Sequence, residues 1–201
     1  TMKVTKRNGH KEDLNIDKLH RVVMYACEGI TGVSASEVEI HSQIQFFDKI
    51  VTENIQETLI KSAADLISEE SPNYQYVAGR LINYHLRKQV YGTFTPPCLC
   101  DIIDDNISAG FYDSEFTELY TKDEINELQT FIDHNRDEFL TYAAMEQFRG
   151  KYLVQNRSTG KLYETPQVAY MMIAATLFGK YPADTRMKYV KDYYDAISTF
   201  K

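Results

Sequence analysis

The sequence predicts a mainly α-helical protein: a four-helix bundle with an N-terminal β-hairpin cap, followed by a helical region that contains one further β-hairpin. Three observations lead to this class. Apolar residues recur at helical spacing between recognisable caps, as in Ile16, Leu19, Val22, Val23, Ala26 and Cys27. Strand signals are confined to two short segments, around Asn8-Gly9 and around Arg157-Ser158-Thr159-Gly160. Between the helical stretches, Gly92-Thr93-Phe94-Thr95-Pro96-Pro97 is the clearest break, because Gly ends helices and a Pro pair cannot continue one. A boundary there divides the chain into domains 1–92 and 93–201.

Each element has its own local warrant. Asn8-Gly9 suits a two-residue type I′ turn, which puts Lys6 and Arg7 on a short hairpin arm. The first helix is predicted from Ile16 to Glu28, with Asn15 as N-cap and Gly29 as its stop. A second starts at Ser34, where Ser34 and Glu37 fit a capping box. A third follows Thr52 as N-cap, with Ile55, Leu59, Ile60, Ala63, Leu66 and Ile67 on its inner face. Ser71-Pro72 opens a fourth that continues to about Tyr91, and four such helices favour a bundle. Beyond the break, helices are predicted over 98–108, from Thr121 with Glu124 at N3, and over 139–148. Tyr152 to Asn156 and Lys161 to Tyr163 read as hairpin strands. Two helices close the chain, one opened by Thr165-Pro166 and one holding Met187, Val190, Tyr194 and Ile197. No internal repeat or low-complexity segment is evident.

Composition narrows the function classes. A 43% hydrophobic chain of 201 residues can build an ordinary core, and no stretch approaches a membrane span of about 20 apolar residues. The N-terminus lacks an apolar signal region, so the expectation is a cytoplasmic protein without a membrane partner. Net charge is -7 with a pI near 5.3, which argues against general nucleic-acid binding. The acidity is uneven: residues 1–95 carry 11 Lys or Arg against 12 Asp or Glu, and residues 96–201 carry 11 against 17. Cys27, Cys98 and Cys100 are an odd set without metal-ligand spacing, expected to be reduced and mostly structural.

The candidate site lies in the first twenty residues. Lys6 and Arg7 on a hairpin, with Lys18 in the first turn of the next helix, put cations beside a helix N-terminus, an arrangement suited to a polyphosphate. Spacing alone favours a plainer account, a solvated face with weak ion pairs to Glu12, Asp13 and Asp17. Other groups read as structural: His134 among Asp133 and Arg136 as a surface or supporting residue, and Tyr74, Tyr76, Tyr84 and Tyr91 as packing residues with satisfied hydroxyls. Cys98-Leu99-Cys100 is a poor redox pair, since that spacing on a helix turns the thiols apart.

Ordered residues shift the balance. The string from Val4 to Arg21, with Thr52 to Ile67 and Tyr74 to Gly92, resembles an ATP-cone, the regulatory nucleotide-binding module at the front of many ribonucleotide reductase large subunits. Pro96-Pro97, Phe131 to Asp137, Gly150 to Arg157 and Tyr194 to Lys201 resemble the helical region that precedes the α/β barrel of those subunits, so that the resemblance covers nearly the whole chain. It is to class I, the iron-dependent type. A nucleotide-sensing repressor with the same module carries a zinc ribbon, and no such cysteine set is present here.

The resemblance implies nucleotide contacts at Val4, Lys6, Arg7, Glu12, Asn15, Lys18, Thr52, Gln56 and Lys88. Lys6, Arg7 and Lys88 would neutralise a triphosphate, Thr52 would hydrogen-bond phosphate or sugar, and Glu12, Asn15 and Lys18 would face base and ribose. Without it, Lys88 reads as a lysine favoured late on a helix by the dipole. Position 56 departs from the family, which is expected to have histidine there; Gln56 hydrogen-bonds but carries no charge, which weakens the case for inhibition by dATP. ATP and dATP with Mg2+ are the implied effectors, and the radical-bearing small (beta) subunit and other alpha subunits the implied partners. The radical and redox cysteines of the family lie beyond the segment that this chain resembles, so these 201 residues are expected to be inactive alone, with no catalytic cofactor. Two functions follow: the N-terminal allosteric piece of a reductase alpha subunit that makes deoxyribonucleotides, or a free-standing nucleotide-binding protein that docks on reductase subunits and modulates their assembly.

Overall fold

A computed structural model describes residues 2–6, 8–46, 48 and 50–199. The protein is mainly helical, as its sequence predicts, and divides into two compact units, Thr1–His85 with Glu138–Gln147, and Leu86–Asp137 with Phe148–Lys201.

The first unit opens with a hairpin of β1 (Lys3–Thr5) and β2 (Lys11–Asp13), paired antiparallel with Val4 opposite Glu12. Its turn is wider than a two-residue type I′ turn. Lys6 N–H donates to His10 O (2.8 Å) and Gly9 N–H to Lys6 O (2.9 Å), so that three residues separate the last pair and Gly9 takes φ +81°. That is the three-residue solution with glycine in the left-handed position, and Asn8 Oδ1 reinforces it by accepting His10 N–H at 2.9 Å. A third strand that the sequence did not reveal, β3 (Ile50–Val51), runs parallel to β1 on its other edge, giving the order β2-β1-β3. Val4 and Ile50 meet across that pair and both are buried.

The hairpin is followed in this unit by α1 (Ile16–Cys27), α2 (Ala35–Gln43), α3 (Thr52–Asp65) and α4 (Tyr74–Tyr91), the last running on into the second unit. Asn15 caps α1 by accepting Lys18 N–H at 3.0 Å, as expected. The Ser34 cap forms only half of the predicted box: Ser34 Oγ accepts Glu37 N–H, while Ser34 N–H goes to the Tyr74 hydroxyl at 3.0 Å. Thr52 is the first residue of α3 and not its cap; the cap position is Val51, because Val51 still pairs in the sheet. The helix stops at Asp65, which leaves Ile67 exposed where an inner position was expected. Pro72 and Asn73 form a turn, through Gln75 N–H to Pro72 O at 3.1 Å, so α4 starts at Tyr74 and not at Ser71-Pro72. The core gathers Val22, Val23, Val38, Leu59, Leu81 and Ile82.

The second unit holds α5 (Leu99–Ser108), α6 (Phe116–Leu119), α7 (Lys122–Phe131), α9 (Pro166–Leu177) and α10 (Ala183–Ser198), while α8 (Tyr142–Gln147) belongs to the first. Thr121 and Glu124 make the full capping box on α7, and Pro166 stands at N1 of α9. The helix expected over 139–148 is broken. A 3-10 turn ends at Phe139, Thr141 Oγ accepts Ala144 N–H (3.2 Å) to restart the chain as α8, and Phe148–Tyr152 form a π-turn. That π-turn consumes Tyr152, so the second hairpin has only the bridge Gln155–Leu162 in place of two strands. Its tip is held instead by Asn156, whose Oδ1 accepts Ser158 N–H at 2.9 Å.

Candidate functional site

The hairpin, the start of α1 and the first turn of α3 enclose a cavity of about 300 Å³ within the first unit. Val4, Lys6, Glu12, Asn15, Lys18, Thr52 and Gln56 all line it, so residues more than fifty positions apart in sequence meet at one place. Arg7 lies outside the described residues. Lys88 stands late on α4, in the second unit, and is not among the described lining residues. Sequence reasoning missed Asp13 and the apolar wall of Leu14, Leu19, Val22 and Ile55. Leu19, Val22 and Ile55 were legible only as core positions on helical stripes.

The polar groups are held in distinct ways. Lys6 Nζ lies 3.0 Å from Glu12 Oε1 across the hairpin, with both side chains partly exposed. Such a pair contributes about 0–1 kcal/mol and yields readily to a stronger anion. Lys3 hydrogen-bonds Asp13 on the same hairpin, and that bond and charge hold the Asp13 carboxyl below its usual range. Asn15 spends its side-chain oxygen on the α1 cap and keeps its amide N–H groups for other partners. Thr52 Oγ1 donates to Thr5 O at 3.5 Å, tying α3 to β1. Val51 has no side-chain donor or acceptor, so nothing in its side chain closes the N-terminus of α3, whose first-turn residues Thr52, Ile55 and Gln56 face the cavity. Gln56 Oε1 is buried without a hydrogen-bond partner.

This cavity can hold an elongated, doubly featured ligand. Cations and a helix end suit phosphate oxygens, the acceptors of Glu12 and Gln56 suit hydroxyl or amino donors, and the aliphatic wall suits a flat apolar body. Among the described residues no group of three or more His, Cys, Asp or Glu is placed to hold a metal ion.

The second unit contains a wider apolar groove of about 640 Å³, with Phe111, Phe116, Tyr152, Ile173, Leu177 and Tyr193 in its walls. Its polar corner is closed on itself: Tyr112 donates to Glu164, which also accepts Val154 N–H at 2.9 Å. Burial raises the Glu164 carboxyl against those two bonds, and burial with the adjacent Glu164 pushes the Tyr112 hydroxyl far up. Nearby, Asp137 is fully buried between Arg87 (3.1 Å) and Gln167 (3.0 Å), and Gln167 in turn accepts from Tyr194 at 2.6 Å. His134 sits beside Arg87; burial first and the guanidinium second depress its imidazole to about 4. Arg87, Asp137, Gln167 and Tyr194 thus form one hydrogen-bonded buried network. Burial also raises the Cys27 thiol to about 11, which keeps it protonated and unreactive near neutral pH.

Comparison with known proteins finds two family matches along the chain. Residues 2–89 match the ATP cone domain and residues 138–201 match the ribonucleotide reductase, all-alpha domain. The chain is 54% identical over 198 residues to ribonucleoside-diphosphate reductase 1 subunit alpha of Escherichia coli, covering 98% of this chain and 26% of that protein. It is 51% identical over 201 residues to ribonucleoside-diphosphate reductase subunit alpha of Haemophilus influenzae, covering 100% of this chain and 27% of the relative. The corresponding subunit of Enterobacteria phage T4 is 39% identical over 198 residues, 98% of this chain and 26% of that one. The chain thus spans about a quarter of the length of the curated relatives it matches. No helix among the described residues is long and apolar enough to cross a membrane.

Proposed function

We propose, for a chain that joins an ATP cone domain to the all-alpha domain of ribonucleotide reductase, that its hairpin cavity binds ATP and dATP as magnesium complexes and so regulates the activity of a ribonucleoside-diphosphate reductase alpha subunit. The observation that carries the reading is the convergence of Lys6, Lys18, Glu12, Thr52 and Gln56 on one cavity at the ends of two helices. A triphosphate only accepts hydrogen bonds. It would take Lys6 from Glu12, draw on Lys18, and seat at the open N-terminus of α3 beside Thr52. Glu12, released, would accept from the sugar or the adenine amino group, while Val4, Leu19 and Ile55 cover the base. Arg7 would add charge to the phosphates.

Regulation follows from differential binding: ATP or dATP shifts activity only by binding two assembly states unequally, typically by about 1–3 kcal/mol. Those states would involve the radical-bearing beta subunit and other alpha subunits, in the cytoplasm. Reduction of ribonucleotides is assigned to the complete subunit, and no catalytic role is given to this stretch.

Titration calorimetry with ATP and dATP in magnesium tests the reading. Wild-type chain should bind, and Lys6→Ala and Lys18→Ala should each weaken binding about tenfold or more, as loss of a charge-assisted hydrogen bond requires. A folded chain that ignores both nucleotides at millimolar concentration, or binding indifferent to both substitutions, would refute it.

A further inference from the structure

Helix α9 carries no charged residue, and a helix apolar on every face is normally covered on every face. One side is covered: Val168, Met171, Ala174 and Ala175 are buried in the core of the second unit. On another, Ile173 and Leu177, one helical turn apart, are each 54% exposed. They form a wall of the groove of about 640 Å³, together with Phe116 of α6, Tyr193 of α10 and Tyr152, itself 61% exposed. Single exposed apolar side chains need no explanation, but a continuous apolar groove marks a surface that receives something.

Backbone and charge together define the occupant. The described walls offer no open strand edge: they are α6, α9, α10 and the segments beside them, and Val154 donates its N–H to Glu164 while its C=O accepts Tyr163 N–H at 3.0 Å. A segment seated there must satisfy its own backbone, which a helix does. The charged residues among the described lining are Asp113, Glu115 and Glu164, all acidic. Glu164 is buried and held by Tyr112 and Val154, whereas Asp113 and Glu115 stand exposed at the turn before α6, where Asp113 Oδ1 accepts Glu115 N–H at 2.9 Å. The Tyr152 wall has a cation beside it, Lys151, whose Nζ lies 5.5 Å from the ring centre. Residues 96–201 carry 11 Lys or Arg against 17 Asp or Glu, so a second copy of this chain would meet like charge. We infer that the groove receives an amphipathic helix of another protein, apolar on the face that meets Ile173, Leu177 and Tyr193 and bearing Lys or Arg along the edge that meets Asp113 and Glu115. The inference is independent of the nucleotide cavity.

Fluorescence anisotropy tests this with a labelled synthetic peptide of about 18 residues, long enough to hold a helix, with Leu recurring at i, i+3, i+4 and i+7 and Lys along one flank, and with a twin carrying Glu in place of Lys. The 201-residue chain should bind the Lys peptide about tenfold or more tightly than the Glu peptide, and added salt should shrink that ratio. Ile173→Asp, at a half-exposed position outside the core, should weaken binding about tenfold or more. Glu115→Lys should weaken it about threefold, with circular dichroism to establish that each variant is folded. Ile44→Asp, in the first unit and 81% exposed, should leave binding as it is. No binding, equal binding of the two peptides, binding that survives Ile173→Asp, or an equal loss from Ile44→Asp would overturn the inference. Self-association in sedimentation that Ile173→Asp abolishes would give the groove to a second copy, and loss of peptide binding in a complete alpha subunit would give it to later segments of the same polypeptide; either would overturn it as well.

Discussion

Replacing Gly79 by alanine should destabilise the first unit, against the usual preference of helices. Alanine in a helix interior is favoured over glycine by about 1 kcal/mol. Gly79, however, is where the backbone of the 138–147 segment touches α4: a Cβ at this position would stand 2.2 Å from Leu140 O and 3.0 Å from the Thr141 carbonyl carbon. Side chains cannot turn away to relieve this, because both obstacles are main chain. Leu140 would have to retreat by most of an ångström, and overpacking of this kind costs about 1–3 kcal/mol or more. Retreat also strains two bonds on the same segment, Tyr25 Oη to Glu138 Oε1 (3.1 Å) and Arg80 Nε to Glu138 O (3.2 Å), each contributing about 1 kcal/mol. The net loss is about 3 kcal/mol. Urea unfolding followed by circular dichroism suits a chain without tryptophan, and at a slope of about 2 kcal/mol/M the midpoint should fall by about 1–1.5 M. Gly150→Ala, which meets nothing within 4 Å, should change it little. A Gly79→Ala chain as stable as wild type would refute the close approach.

Other consequences are equally open to measurement. Arg87→Met should cost about 3 kcal/mol in chemical unfolding, because it strips the fully buried Asp137 of its guanidinium partner, and Arg87→Met with Asp137→Leu should recover much of that loss. His134 has its folded pKa depressed to about 4 from an ordinary 6.5. The unfolded chain therefore takes the proton first, and this contribution to stability is complete above pH 6.5 and lost as pH falls from 6.5 to 4. His134→Gln should flatten the stability profile in that window by up to about 3 kcal/mol, read from urea midpoints at pH 4.5 and 7. Cys27 should resist alkylation at pH 7.5 in the folded chain, while exposed Cys98 reacts.

What the sequence disclosed was what is local. Asn15 and the Thr121–Glu124 box announce a helix start through bonds that close within three residues, Thr165-Pro166 does so through proline at N1, and α1, α7 and α9 begin where those signals stand. What it hid depends on distant partners. A two-residue strand such as β3 has no pattern of its own and exists because Val4 lies beside Ile50. Ser34 looked like half of a reciprocal box, but its N–H is taken by Tyr74, forty residues away. The cavity divides the same way. Lys6 and Lys18 were visible as cations near a turn and a helix start, whereas Thr52 and Gln56 were suggested only by family resemblance, since no spacing rule links α3 to the hairpin. The roles of Leu19, Val22 and Ile55 as cavity wall were masked because an apolar stripe reads as core whether it meets protein or a ligand.

The most direct test is to follow backbone amide resonances of the isotopically labelled chain during titration with magnesium ATP. The account predicts that the largest shifts fall on Val4, Lys6, Glu12, Asn15, Lys18, Thr52 and Gln56, with little change around Tyr112, Glu164 and Ile173. Shifts concentrated in the apolar groove of the second unit, or none at saturating nucleotide, would contradict it.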